Sequence, residues 1–414
     1  MQVSKFPAST LDISKTREQS HLFLHKCIIM FQTTFVNPHR KPPTTTSQPN
    51  PDIRPFHQSL PHYELSPLHT LPQLAQDLRI SHLLIKDESH RLGLPAFKIL
   101  GASWATAQSI LKRLSLTPQD VTPLGEHGIS LELLAKKAQN AGLVLFAATD
   151  GNHGRAVARM AKYLGITARI YVPSDLDEEA KNNIRSEGVP VSTFPGDYDE
   201  TVLGTAEACS EYSDGKGLLI CDTALEYGNE GCQWIVDGYQ TMFDEVEEQL
   251  TTLDIPRHSS GARITHVITP VGVGSLSQAV TTHFLRTSPS TKIITVEPVT
   301  AACFRTSLVE GKMVSVKTGF TICSGLCCGS VSYNAWDILR DSVTASVVVE
   351  DESVHECVEV LKENRVDAGP CGAAVLAGLR EVVTVKADVG INEDSVVLLI
   401  CTEGPRSYDL KHTV

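Results

Sequence analysis

No stretch of the 414 residues approaches the roughly 20 consecutive apolar side chains that a membrane-spanning helix needs. Basic residues are also in short supply. Against 48 Asp and Glu stand 36 Lys and Arg, a formal charge of −12, which argues against a nucleic-acid partner and the basic face it requires. The cysteines form no CxxC pair and the histidines no HExxH, so the spacing rules give no metal site. No internal repeat is visible. What is present is ordinary globular composition, 42% hydrophobic and 20% charged. The length suits two or three structural units and a core that needs neither disulfides nor metal. Eleven cysteines, an odd number scattered along the whole chain, are expected as reduced thiols in a cytoplasmic protein.

Residues 1 to 34 lack the apolar core of a secretory signal and read as a disordered extension. Residues 37 to 56, with six prolines, read as an irregular arm. From about residue 81 short apolar runs alternate with helical patterns. Strands are expected at 82–86, 143–147, 168–172, 189–194, 218–221, 266–269, 293–296, 347–349 and 396–400. Helices are expected near 177–187, 198–212, 299–309, 352–364 and 371–383, and 114–140 reads as a partly helical insertion. After the 143–147 strand, Val157, Met160, Ala161 and Leu164 fall at i, i+3, i+4 and i+7 of a helix. Ser174 and Asp177 look like a capping box. Continuous apolar strands alternating with helices predict an α/β fold with parallel sheets covered on both faces.

Three windows carry candidate chemistry. Lys98 lies between Phe97 and Ile99 where a loop turns into an apolar helix, so its amine is expected to be partly desolvated, which lowers a lysine pKa and suits it to covalent chemistry with a carbonyl. Alone, such a lysine is more often a surface lysine with a buried stem. The turn Thr149-Asp150-Gly151-Asn152-His153-Gly154 joins a strand to a helix N-terminus, where free N–H groups can hold a carboxylate. It reads equally as a plain Asn-Gly turn capped by Asp150. Gly272-Val273-Gly274-Ser275 also links a strand to a helix. Lacking the G-x-G-x-x-G spacing, it suits a single phosphate better than a dinucleotide, with an ordinary tight turn as the alternative.

In combination these windows are far more specific. Ala96-Phe97-Lys98, Asp150-Gly151-Asn152-His153-Gly154, Gly272-Val273-Gly274-Ser275, Val296-Glu297-Pro298 and Thr402-Glu403-Gly404 follow the order of fold-type II pyridoxal-phosphate enzymes. Within that group the sequence most resembles the diaminopropionate ammonia-lyases, through Lys86-Asp87-Glu88-Ser89, Arg91-x-Gly93-Leu94, Thr149 to Arg155, Asp222-Thr223-Ala224 and Gly238-Tyr239. The resemblance covers about residues 35 to 405. It implies a homodimer with pyridoxal 5'-phosphate in a cleft between a large domain, 35–104 plus 241–414, and a small domain, 105–240. It implies Lys98 as the cofactor lysine, Asn152 beside the phenolic oxygen, Gly272 to Ser275 around the phosphate, and Cys401 or Thr402 at the pyridine nitrogen. Thr149, Asp150, Gly151 and His153 would meet a small amino-acid substrate, and Lys98, Asp150 and Asp222 would move protons.

The implied reaction is α,β-elimination of 2,3-diaminopropionate to pyruvate and ammonia. Related serine and threonine dehydratases usually carry a small hydroxyl residue where Asp150 stands, and a carboxylate there can pair with a second ammonium. Asp222 reads locally as a strand-end cap. A dehydratase, racemase or β-replacement enzyme of the same fold, or a binding protein without catalysis, are the alternatives. Retention of Lys98, Asn152 and the glycine loop argues against the last. Ala102, Val271, Pro405-Arg406 and the segment Asp367 to Gly372 depart from the family pattern. The thiols of Cys323, Cys327 and Cys328 are expected to pack rather than react.

Overall fold

The computed structural model describes residues 32–42, 48–123, 128–149, 151–259 and 261–410. The expected 1–34 extension lies almost wholly outside them. Two sheets organise the chain. The larger has the order β1-β10-β9-β8-β11-β3-β2, from β1 (Thr34–Val36), β2 (Leu68–Thr70), β3 (His82–Asp87), β8 (His266–Pro270), β9 (Lys292–Pro298), β10 (Ala345–Val349) and β11 (Val396–Cys401). The smaller has the order β6-β5-β4-β7, from β4 (Val144–Ala148), β5 (Thr167–Pro173), β6 (Val191–Phe194) and β7 (Gly217–Leu219).

Every pair in the small sheet is parallel, as are the inner pairs of the large one. Strands β8 and β11 are buried at every position, as sheets covered on both faces require. The edge strands β1 and β2 pair antiparallel with β10 and β3, which the apolar runs did not reveal because each has only three residues. Thr34 therefore belongs to the first strand and not to the extension. The expected irregular arm likewise gives way to a helix at Ile53–Ser59.

Most predicted helices appear within a residue or two. The 299–309 helix is split into a 3-10 turn, Val299–Ala301, and a helix, Cys303–Glu310. Asp177, not Ser174, caps the helix Glu178–Arg185, its Oδ1 accepting from the Ala180 N–H at 2.7 Å.

Seven helices carry the site residues or brace them: α1 (Lys98–Arg113), α2 (Asn152–Leu164), α3 (Tyr198–Ser210), α4 (Glu230–Gly238), α5 (Gln240–Leu250), α6 (Ser275–Thr287) and α7 (Pro370–Val382). Helices α1 and α4 pack backbone to backbone. A Cβ at Gly101 would lie 2.7 Å from the Ile235 carbonyl oxygen, and one at Gly238 would lie 2.5 Å from that of Leu100, so glycine is required for the approach.

A buried ionic network ties β3 to α5. Arg91 donates to both carboxylate oxygens of Glu88, at 2.6 and 2.8 Å, and to both of Glu245, at 2.7 and 2.8 Å. Lys86 Nζ donates to Glu245 Oε2 at 2.8 Å and to the Ser66 carbonyl at 2.7 Å. The side chains of Lys86, Arg91, Glu88 and Glu245 are fully buried. Among the described cysteines only Cys327 is partly exposed; nine are buried.

His57 gives the fold an acid-sensitive point. Its Nε2–H donates to the Leu100 carbonyl at 3.0 Å, so its Nδ1 accepts from the Thr241 hydroxyl at 2.7 Å. Burial holds this imidazole down to about 3. The unfolded chain binds a proton there below about 6.5 and the folded chain does not. Stability is therefore expected to fall as pH drops from 6.5 toward 3, by about 2 kcal/mol from this residue at pH 5. Urea midpoints at pH 7 and pH 5 check this: His57→Gln should flatten the dependence, and an unchanged slope would exclude His57 as its source.

Candidate active site

Lys98 opens α1 where the preceding loop is clamped to the end of β11. Ala96 bridges Glu403, the Phe97 N–H donates to the Thr402 carbonyl at 3.3 Å, and the Gly404 N–H donates to the Pro95 carbonyl at 2.9 Å. The lysine is thus carried by the large sheet, and its Nζ reaches Asp222 Oδ2 at 2.5 Å, just beyond β7 of the small sheet. Burial pushes the Asp222 carboxyl up, but the Lys98 ammonium and His153 pull it well below the usual carboxylate range. The Tyr198 hydroxyl, on α3, donates to Asp222 Oδ1 at 3.4 Å.

Lys98 and Asp222 line a cavity of about 320 Å³ together with Gly151, Asn152, the Gly272 to Ser275 loop and Thr402. The loop follows β8 and delivers Ser275 to the first position of α6, with Gly274 at φ +93°. A Cβ at Gly272 would come within 3.0 Å of the Gly325 carbonyl oxygen. Small residues at a helix N-terminus leave N–H groups open to an anion. Thr402 Oγ1 is buried and has no protein hydrogen-bond partner among the described residues, although a buried hydroxyl ordinarily finds one.

Three expected site residues stand apart from the cavity lining. Thr149 is buried, and its Oγ1 accepts from the Gly151 and Gly154 N–H groups, both at 2.9 Å, so it holds the turn's shape. His153 turns inward and its Nε2 donates to the Ile220 carbonyl at 2.9 Å. Burial, with Lys98 close by, lowers its pKa despite the nearby Asp222 carboxylate. Cys401, the last residue of β11, is fully buried away from the cavity wall, its thiol 3.6 Å from the Glu403 carbonyl, so of the two candidates for the pyridine nitrogen only Thr402 reaches the cavity. Asp150 lies outside the described residues.

Other cavity residues were not singled out in the sequence. Glu403 accepts from Asn152 Nδ2 at 2.7 Å, and Arg155 and Tyr198 also contribute to the wall. Glu403 belongs to the Thr402-Glu403-Gly404 motif, but a single Glu after a strand has no spacing that sets it apart. Contact with Cys323 and burial push the Cys371 thiol well up, the environment of an inert cysteine.

A family model described as pyridoxal-phosphate dependent enzyme matches residues 60–403. The chain belongs to this family. A lysine, a glycine-walled anion cradle and an unpartnered buried hydroxyl fit the family's cofactor, and the fold is that of its fold-type II members. The chain is 33% identical to a diaminopropionate ammonia-lyase of Escherichia coli (strain K12) over 87% of its own length and 88% of that protein. With a diaminopropionate ammonia-lyase of Salmonella typhimurium the identity is 31%, over 87% of this chain and 90% of that one. The crystal structure of the Escherichia coli enzyme in complex with an aminoacrylate-PLP azomethine reaction intermediate superposes with a TM-score of 0.77 at 30% identity, covering 90% of this chain and 93% of that one.

Proposed function

We propose that this pyridoxal-phosphate dependent protein eliminates the β-amino group of 2,3-diaminopropionate, yielding pyruvate and ammonia. The observation that carries the reading is the contact of Lys98 Nζ with the buried Asp222 carboxylate, 2.5 Å apart in the cavity that the glycine loop also lines. Its support in sequence is the identity with proteins named for that reaction. Pyridoxal phosphate, when bound, supplies the electron sink that eases loss of a proton from Cα.

The residues suited to hold the cofactor are Lys98 through its amine, Gly272 to Ser275 at the phosphate, Asn152 at the phenolic oxygen and Thr402 at the pyridine nitrogen. Asp222 stays ionised while Lys98 is charged, and it can hold or take the proton of Lys98 Nζ. Once that positive charge is gone, less opposes the effect of burial on Asp222. Its proton affinity then rises, as a general base at Cα requires. Asp150 is the second proposed carboxylate, placed by sequence to pair with the substrate's second ammonium or to exchange a proton.

A panel of amino acids assayed for the 2-oxo acid and ammonia released, pyruvate from diaminopropionate or serine and 2-oxobutyrate from threonine, tests the reaction; turnover of serine or threonine with none of diaminopropionate would overturn it. Asp150→Asn keeps the shape and removes the charge, so diaminopropionate elimination is expected to fall about 10²-fold or more, with any serine turnover suffering less. Equal losses on both substrates would exclude a specific ammonium contact. If the two carboxylates serve opposite faces of Cα, Asp150→Asn and Asp222→Asn should impair opposite enantiomers of diaminopropionate, because a base removes only a proton on its own side. An Asp222→Asn protein active on both enantiomers would return Asp222 to the role of a strand-end cap.

The division into a large unit, 35–104 with 241–414, and a small unit, 105–240, is supported by the two separate sheets. A homodimer follows the family resemblance. A cytoplasmic location is supported by the buried free thiols, which a reducing compartment preserves. No described helix is long and apolar enough to cross a membrane.

A further inference from the structure

Glu403 is a buried acidic side chain in the cavity wall, 4% exposed, and it holds no place in the proton transfers above. Its acceptor groups are engaged by the N-terminus of α7 on one side and by α2 on the other. Its backbone carbonyl accepts from the Gly369 N–H at 2.9 Å, Oε1 accepts from the Cys371 N–H at 3.1 Å, and Oε2 accepts from Asn152 Nδ2 at 2.7 Å. Cys371 lies in the first turn of α7, whose free N–H groups and dipole favour a negative charge. The carboxylate is therefore fixed by the large sheet and its helix before it meets Asn152, the first residue of α2 in the small sheet's half of the cavity.

This contact settles the orientation of an otherwise ambiguous amide. An ionised carboxylate only accepts, so Asn152 must turn its NH₂ group, not its carbonyl oxygen, toward Glu403. One N–H is consumed and the second stays available in a set direction. We infer that Glu403 is a positioning residue that holds Asn152 as a hydrogen-bond donor toward the oxygen-bearing edge of pyridoxal phosphate, and so sets both the affinity for the cofactor and its absorbance. The inference rests on the proposed role of Asn152. Acting through Asn152 and not by direct contact, Glu403 should lose its influence when Asn152 is absent.

The test is a double-mutant cycle on the apoprotein titrated with pyridoxal phosphate, reading the dissociation constant and the visible absorbance maximum. Glu403→Met, which keeps the volume, is expected to weaken binding roughly tenfold, the scale of one charge-assisted hydrogen bond, and to shift the maximum. In the Asn152→Ala background the same change should cost less than about twofold, because the partner is already gone. Glu403→Gln keeps one acceptor oxygen where two are in use and is expected to weaken binding about threefold, a loss that should vanish in the Asn152→Ala background. It decides the matter if circular dichroism shows the Met variant unfolded. Equal weakening by Glu403 substitutions with and without Asn152 would overturn the inference. A normal dissociation constant and spectrum for Asn152→Ala alone would overturn the reading of Asn152 itself, an outcome distinct from the first.

Discussion

Lys98→Ala is expected to yield a folded protein that loses pyridoxal phosphate on dialysis, lacks its visible absorbance, and forms pyruvate more slowly by over the roughly 10²–10⁴-fold a positioned acid or base supplies. The loss is expected to exceed that range because the amine has two proposed roles, as the cofactor's point of attachment and as a proton carrier beside Asp222. The surroundings favour both uses. Phe97 places its ring 5.3 Å from Nζ, and Asp222 accepts at 2.5 Å. Sodium borohydride treatment of the wild-type protein followed by peptide mapping should label Lys98, and a label on any other lysine would reject the assignment. Thermal melting of the alanine variant separates loss of chemistry from loss of fold, since Asp222 is left buried without its cation.

Glu245→Ala should act on the fold, lowering stability by about 3–5 kcal/mol, the range for breaking a buried ion pair and stranding its partner. Here two cations lose a partner, Lys86 and Arg91, both with fully buried side chains. Arg91 keeps Glu88, whereas Lys86 keeps only the Ser66 carbonyl and Gln249 Oε1. Glu248→Ala provides the comparison. Glu248 pairs with Arg54 at the surface and is 56% exposed, so its removal is expected to cost under about 1 kcal/mol. Urea unfolding of the two variants side by side measures the contrast, and equal midpoints would show that the buried network contributes no more than a surface pair.

The inner strands were legible in the sequence because both faces of each sheet are covered, which turns a strand into an unbroken apolar run such as 396–401. The edges were not. Three residues cannot display alternation, and β1 finds its partner β10 far along the chain, with Thr34 beside Val347. Of the candidate site, the sequence marked residues whose type the proposed chemistry demands, a lysine at a helix start, glycines at a strand-to-helix loop and an asparagine at a turn, and the structure brings these to one cavity. Sequence order could not say which way neighbouring side chains point. His153 and Asn152 are adjacent, yet one points into the interior and the other into the cavity. Cys401 and Thr402 divide in the same way at the end of β11, where successive residues face opposite sides. Lys86 and Arg91 were marked through the family pattern, and the structure gives that pattern a physical content in the fully buried ionic network.

The nine buried thiols amount to an internal clock for the native state. They are spread from Cys209 near the C-terminal end of α3 to Cys401 in β11, so an alkylating reagent reaches each one only when its own neighbourhood opens. Where reclosing is faster than alkylation, the labelling rate at each cysteine reports the population of the open form. Cys209 and Cys221 would time the small sheet, and Cys357 and Cys401 the large one. Mass spectrometry of timed samples, with and without pyridoxal phosphate, would then resolve whether the cofactor slows breathing on one side of the cleft or on both.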